Sequence, residues 1–312
     1  MLTQIKGLHH VTSLASDAQD NNRFFTDLLG QRRVKKTVNF DAPEVYHLYY
    51  GDETGSAGTI MTYFPFPHIV PGRRGSGEVS ETAFAVPEGS LAFWRDRLEG
   101  AGVRGIAPET RFGERRLRFA GPDGDGFALT EVARDPRAPF AGGPVPADRG
   151  IHGFRGVTMQ LRDGAATVEL LKLMGYEETG REGAITRLAL RQGNGADIVD
   201  IEIRPDMPRA REGAGSVHHV AFAVEDRAAQ AEVRQALLGA GAHVTPAIDR
   251  DYFWATYFRT PDGVLFEIAT HEPGFTRDED VAHLGEALKL PRQHAHLRDR
   301  LEQFLPEIAD AA

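Results

Sequence analysis

The sequence contains no cysteine. Disulfides, thiolate nucleophiles and thiolate-metal chemistry are therefore excluded, which leaves His, Asp and Glu as the strong metal ligands. No stretch approaches the ~20 apolar residues of a membrane span. The opening MLTQIKGLHH has no apolar core of signal-peptide length, so a cytoplasmic location without a membrane partner is expected. Long basic runs are also missing. The 36 Lys and Arg stand against 45 Asp and Glu, a formal charge of -9, so small molecules or proteins are the expected partners and nucleic acid is not. What is present is 312 residues with 41% hydrophobic content, enough for a substantial core and, by length, for about two domains.

The chain repeats itself. His10, Glu81, Gly156 and His219 each stand seven residues before an acidic residue, respectively Asp17, Glu88, Asp163 and Asp226. Each interval is an apolar, alternating run of strand character. The acid falls where a helix N-terminus favours negative charge, and glycines about a dozen residues on suit a helix C-cap. Shorter alternating runs follow, such as EVYHLYY and GTIMTYF in the first copy and YFWATYF and GVLFEIAT in the fourth, separated by turns such as Pro261-Asp-Gly. The unit is βαβββ, and four of them define an α+β protein. Residues 1–134 hold the first pair of modules and 151–270 the second. The Pro- and Gly-rich 135–150 reads as a linker, and 271–312 as a C-terminal extension with two helices interrupted by Pro291.

Only modules one and four carry histidine at the repeated position, so the repeat does not need it for folding. Alternation places His10 with Thr12 on one strand face and His219 with Ala221 on the matching face of module four. In VLFEIAT, Glu267 shares a face with Leu265 and Ala269, where a carboxylate is costly to bury without a compensating charge. Two imidazoles and one carboxylate, with no thiolate available, match the facial triad of non-haem Fe(II) sites. Mn(II) fits similar ligands, and Zn(II) more often takes a closed four-ligand or a hydrolytic three-ligand site. The remaining histidines have plainer readings: His294 and His296 as solvated, and His68 as part of a Pro-bounded loop whose aromatic character suits a pocket lid. Glu81 reads as a surface or salt-bridged carboxylate. Tyr257 shares parity with Phe253 and Ala255, which would offer a flat ring an aromatic wall and a hydroxyl.

The repeat and the segments GLHHVT, HHVAFAV and PDGVLFEIAT resemble the vicinal oxygen chelate superfamily, the glyoxalase/extradiol dioxygenase fold, over nearly the whole chain. DRDYFWATYFRTPDGVLFEIATHEPGF and LGEALKLP are similar to its hydroquinone ring-cleaving dioxygenase branch. The resemblance implies two open β-barrels and an Fe(II) held by His10, His219 and Glu267. It also implies catalytic roles for Arg250, Tyr257, His9, His218 and Thr12, and an extradiol-type opening of a hydroquinone-like aromatic by dioxygen. Because Gly156 stands where a ligand histidine would, modules one and four are expected to share the metal-bearing barrel, leaving modules two and three a barrel without metal. Strict alternation turns His9 and His218 away from the metal unless their strands begin irregularly. Two rival functions share the fold, a glyoxalase-like isomerase or thiol transferase and a non-catalytic resistance protein that sequesters an aromatic ligand. Exposed sheet edges or the C-terminal helices would allow a homo-oligomer.

Overall fold

A computed structural model describes residues 1–309. Module one comprises β1 (Leu8–Ala15), α1 (Ala18–Arg23) with a π-helical turn at Phe24–Leu28, β2 (Arg32–Val38), β3 (Tyr46–Gly51) and β4 (Ile60–Pro65). Module two follows as β5 (Glu78–Pro87), α2 (Leu91–Gly100), β6 (Ala107–Arg111), β7 (Glu114–Ala120) and β8 (Gly126–Val132). Module three is β9 (Gly153–Leu161), α3 (Ala165–Leu173), β10 (Glu177–Glu182), β11 (Ile185–Ala189) and β12 (Ile198–Ile203). Module four is β13 (Val217–Val224), α4 (Arg227–Gly239), the two-residue β14 (Ile248–Asp249), β15 (Phe253–Arg259) and β16 (Leu265–Pro273). A last helix, α5, spans Arg298–Phe304.

The expected caps form in the two histidine-bearing modules. The Asp17 carboxylate accepts from the Asp20 N–H (2.8 Å), and Asp226 accepts from the Ala229 N–H (2.9 Å). Modules two and three start their helices differently, from Ser90 and from Gly164 in the left-handed region, neither with a side-chain cap.

The strands assemble into two curled eight-stranded sheets. One runs β14-β15-β16-β13-β1-β4-β3-β2, uniting modules four and one, and the other runs β10-β11-β12-β9-β5-β8-β7-β6, uniting modules three and two. Each sheet is seamed by an antiparallel pair of module-opening strands, β1 with β13 and β5 with β9. Phe24 and Phe25, beside α1, reach across to Phe127 of module two, and Phe84 stacks on Phe154 of module three (5.5 Å between ring centres), so the aromatic core joins modules as well as filling them.

The C-terminal extension departs from the expected pair of helices. Among its described residues only α5 is α-helical. The segment before Pro291 makes short 3-10 turns at Phe275–Arg277 and Val281–His283, then lies along the outer strand of the first sheet. Leu288 bridges Lys36, the Lys289 N–H donates to the Lys36 carbonyl (2.9 Å), and Arg33 Nε donates to the Gly285 carbonyl (2.9 Å). Gly285 has a φ of 78°, and a Cβ there would lie 1.9 Å from the Arg33 carbonyl oxygen. Covering an unpaired sheet edge outweighs the helical spacing of the segment's own side chains. No described helix is long and apolar enough to cross a membrane.

Candidate metal centre and substrate cavity

The seam between β1 and β13 places the two histidines, and parallel pairing of β13 with β16 sets Glu267 beside Ala221. Three donor atoms converge as a result. His10 Nε2 lies 3.2 Å from His219 Nε2, and Glu267 Oε2 lies 3.4 Å and 3.0 Å from those two nitrogens. Among the described residues this is the group of His, Asp and Glu side chains able to hold a metal ion, and all three members are buried.

The donor set fits a divalent cation. Three ligands at about 2.1 Å from one ion, at right angles to each other, would stand about 3 Å apart, close to the edges of this triangle. Glu267 is fully buried and neither of its oxygens has a hydrogen-bond partner. Burial alone would raise its pKa, yet the facing His10 and His219 imidazoles hold it well below the usual carboxylate range. Burial lowers the pKa of His219, opposed by Glu267. His9 Nδ1 and His10 Nδ1 stand 2.9 Å apart, so the one ring steadies the other. A buried carboxylate facing two imidazole nitrogens at 3.0 and 3.4 Å is a donor set that a divalent cation would satisfy.

His9 and His218 owe their positions to a pair of β-bulges. Between Leu8 and His10 the β1 chain advances two residues while β13 advances one. Between Val217 and His219 the excess lies on β13. Each flanking histidine is therefore the extra residue of a bulge, a device that re-aims a side chain out of strict alternation. The two are aimed differently. His218 Nδ1 meets His219 Nδ1 at 2.8 Å and its ring lines the substrate-sized cavity, whereas His9 lines a smaller cavity beside His271 and Tyr252. Burial and the neighbouring His219 lower the pKa of His218 to about 4, and burial, then His10, lowers that of His9 well below the ordinary histidine value.

A cavity of about 490 Å3 opens directly on the triad. Phe253, Tyr257 and Arg250 line it, and Arg250 Nε lies 3.2 Å from the Tyr257 hydroxyl. Burial, then the Glu267 charge, raises the Tyr257 pKa, so this hydroxyl keeps its proton. Phe64 and Phe66, at the start of the Pro-bounded loop, form part of the wall, while His68 itself is exposed with a φ of 66°. Thr12 is buried and does not reach the cavity; its hydroxyl meets that of Thr62 at 3.0 Å.

Sequence reasoning missed His47. This buried residue lines the cavity, with Nε2 at 2.8 Å from the Thr62 hydroxyl and Nδ1 at 2.8 Å from the Tyr49 hydroxyl. Burial, then the His10 and His219 imidazoles, holds its pKa well below 6.5. The signal was present in YHLYY, where His47 and Tyr49 share parity. Their facing partner Thr62, though, is identified only by the pairing of β3 with β4. His294, read as solvated, is half-buried, with Nε2 at 2.8 Å from the Phe40 carbonyl oxygen; His296 is exposed.

The second sheet repeats the geometry with different chemistry. Its seam carries the same two bulges, at Ser80 and Arg155. Register matches Glu81 to His10 and Asp200 to Glu267. Arg111 reaches both carboxylates, Arg116 pairs with Glu81, and Arg187 pairs with Asp200 (2.8 Å). Guanidinium groups thus compensate the acidic charge here, and Glu81 is a buried, salt-bridged carboxylate.

The two curled sheets and the candidate metal triad on their seam point to one superfamily, and comparison with known proteins shows which. The profile of the Glyoxalase/Bleomycin resistance protein/Dioxygenase superfamily matches residues 7–268, and the chain belongs to that superfamily. It is 40% identical over 304 residues to MhqE of Bacillus subtilis, named as a ring-cleaving dioxygenase, covering 97% of this chain and 99% of the relative. It is 35% identical over 306 residues to the chlorohydroquinone/hydroquinone 1,2-dioxygenase of Sphingobium indicum, covering 96% and 95% of the two chains. A crystal structure of a Bacillus subtilis protein described as a dioxygenase superposes with a TM-score of 0.93 at 39% identity, covering 98% of each chain.

Proposed function

We propose that the protein opens the ring of a hydroquinone-type phenol with dioxygen, using Fe(II) held by His10, His219 and Glu267, with Mn(II) as the alternative ion. The observation that carries this reading is the buried three-donor triangle, with edges of 3.0 to 3.4 Å, at the end of an aromatic-lined cavity. The relatives named as ring-cleaving and hydroquinone dioxygenases support it. When bound, the ferrous ion would supply acidity for the phenol and the electron exchange that lets dioxygen react with an aromatic ring.

The remaining work belongs to the chain. Phe253, Phe64 and Phe66, all lining the cavity, confine a flat ring and exclude water. Arg250 keeps a permanent positive charge beside the developing phenolate oxygen, and the protonated Tyr257 hydroxyl donates a hydrogen bond to it. His218, unlike His9, faces the cavity and is the residue placed to move a proton to or from the substrate. His9 fixes the ring of His10, and Thr12 acts from behind the wall through Thr62 and His47. Cleavage falls beside the hydroxylated carbon, and both oxygen atoms of dioxygen end in the ring-opened acid.

The test is anaerobic reconstitution with Fe(II), followed by chlorohydroquinone and labelled dioxygen. One dioxygen consumed per ring, with both labels in the acid, is expected. Absence of oxygen uptake by the iron-loaded protein, or full activity in His219→Ala, contradicts the proposal.

A further inference from the structure

One wall of the cavity is held from outside the barrel. Asn39, Phe40, Asp41 and Ala42, in the connection between β2 and β3, line the same cavity as the triad. Within this connection the Asn39 side chain accepts from the Asp41 and Ala42 N–H groups (2.8 and 3.2 Å), the Asn39 N–H donates to the Val45 carbonyl and the Val45 N–H to the Ala42 carbonyl (2.8 and 3.0 Å), and the Phe40 carbonyl takes no part in these bonds. The C-terminal segment adds ties from outside. Gln293 Nε2 and His294 Nε2 both lie 2.8 Å from the Phe40 carbonyl oxygen, whose two lone pairs can accept both. Nearby, Arg300 pairs with Glu44 (2.9 Å) and the Tyr46 hydroxyl donates to the Pro306 carbonyl (2.9 Å).

The same loop touches the catalytic side. The Arg250 guanidinium sits over the Phe40 ring, 5.2 Å from its centre, and 3.6 Å from an Asp41 oxygen. Arg250 in turn contacts Tyr257. Moving Phe40 by one ångström would change both the width of the cavity and the seating of Arg250, and misplacements of that size are costly in enzymes.

We infer that Gln293 and His294 are positioning residues for the substrate cavity, acting through the Phe40 carbonyl to hold the 39–45 loop as a rigid wall. This rests, for its effect on turnover, on the dioxygenase reading above. Loss of the two donors frees the loop and weakens substrate capture while the triad stays intact.

The experiment compares His294→Ala, the double variant Gln293→Ala/His294→Ala and the conservative His294→Gln, whose amide can still donate to Phe40. Hydrogen–deuterium exchange over 39–45 should accelerate about tenfold in the double variant, less in the single, and return toward the parent in His294→Gln. KM for chlorohydroquinone should rise about three- to tenfold with kcat within about twofold. Unchanged exchange over 39–45, or unchanged KM, in the double variant overturns the inference. Exchange needs no turnover, so an inactive parent enzyme would sink the functional proposal without touching this result, whereas normal turnover with unchanged exchange would sink this inference alone.

Discussion

At the scale of single residues, the site is a balance of buried charges. The pair His9–His10 and the pair His218–His219 look alike in sequence and make the same Nδ1-to-Nδ1 contact, yet of the two flanking rings His218 lines the cavity that opens on the triad and His9 lines a smaller one. His9→Ala and His218→Ala should each weaken iron binding about 10- to 100-fold, the range for partners that orient a ligand. In iron-saturated enzyme only the His218 variant should raise KM as well, which steady-state kinetics beside an iron titration will show. Asp125 offers a separate test by pH. Burial pushes its carboxyl from 3.8 up to about 6, although the Tyr63 hydroxyl donates to it at 2.8 Å. A raised native pKa favours the protonated form, so its contribution to stability is fully present below 3.8 and is lost as pH rises through about 6. Asp125→Asn, neutral throughout, should therefore gain stability over the parent across that window, by on the order of 3 kcal/mol at neutral pH for a shift of about two units. Thermal melts across the window that run parallel for the two proteins would contradict this. The three candidate ligands were legible because an imidazole or carboxylate in an apolar strand is chemically conspicuous. His47 was not, because its role depends on a neighbouring strand that the sequence does not identify.

At the scale of elements, the modules show which local signals survive folding. The seven-residue offset marks every module-opening strand, and Asp17 and Asp226 cap their helices as their chemistry dictates. The bulges that re-aim His9 and His218 leave no trace in composition, since an extra residue is defined only against a partner strand. The C-terminal segment misled for a related reason: its helical spacing is overridden by the free edge of β2. Lys35 of that strand anchors it. This fully buried lysine pairs with Asp278 at 2.6 Å and with the buried Glu279. Removing one partner of a buried pair strands the other charge, so Lys35→Met should cost about 3–5 kcal/mol in urea unfolding. Adding Glu279→Leu should recover most of the loss, and equal stabilities of the single and double variants would show that the pair is not the anchor.

At the scale of the whole molecule, each sheet takes one module from each half of the chain, so neither half can close a sheet alone. Gly156 at the repeated position made this legible, because it left module one as the source of the second histidine. Residues 1–150 and 151–312 expressed separately should each be insoluble or unfolded, and co-expressed they should recover iron binding. Independent folding of either fragment, seen by circular dichroism, would contradict the shared-seam architecture. That seam brings His10, from one end of the chain, to His219 and Glu267 near the other. The most direct test is anomalous scattering at the iron edge from crystals reconstituted with Fe(II). The account predicts a single strong peak within about 2.3 Å of His10 Nε2, His219 Nε2 and a Glu267 oxygen. A peak elsewhere, or none in iron-loaded crystals, would contradict it.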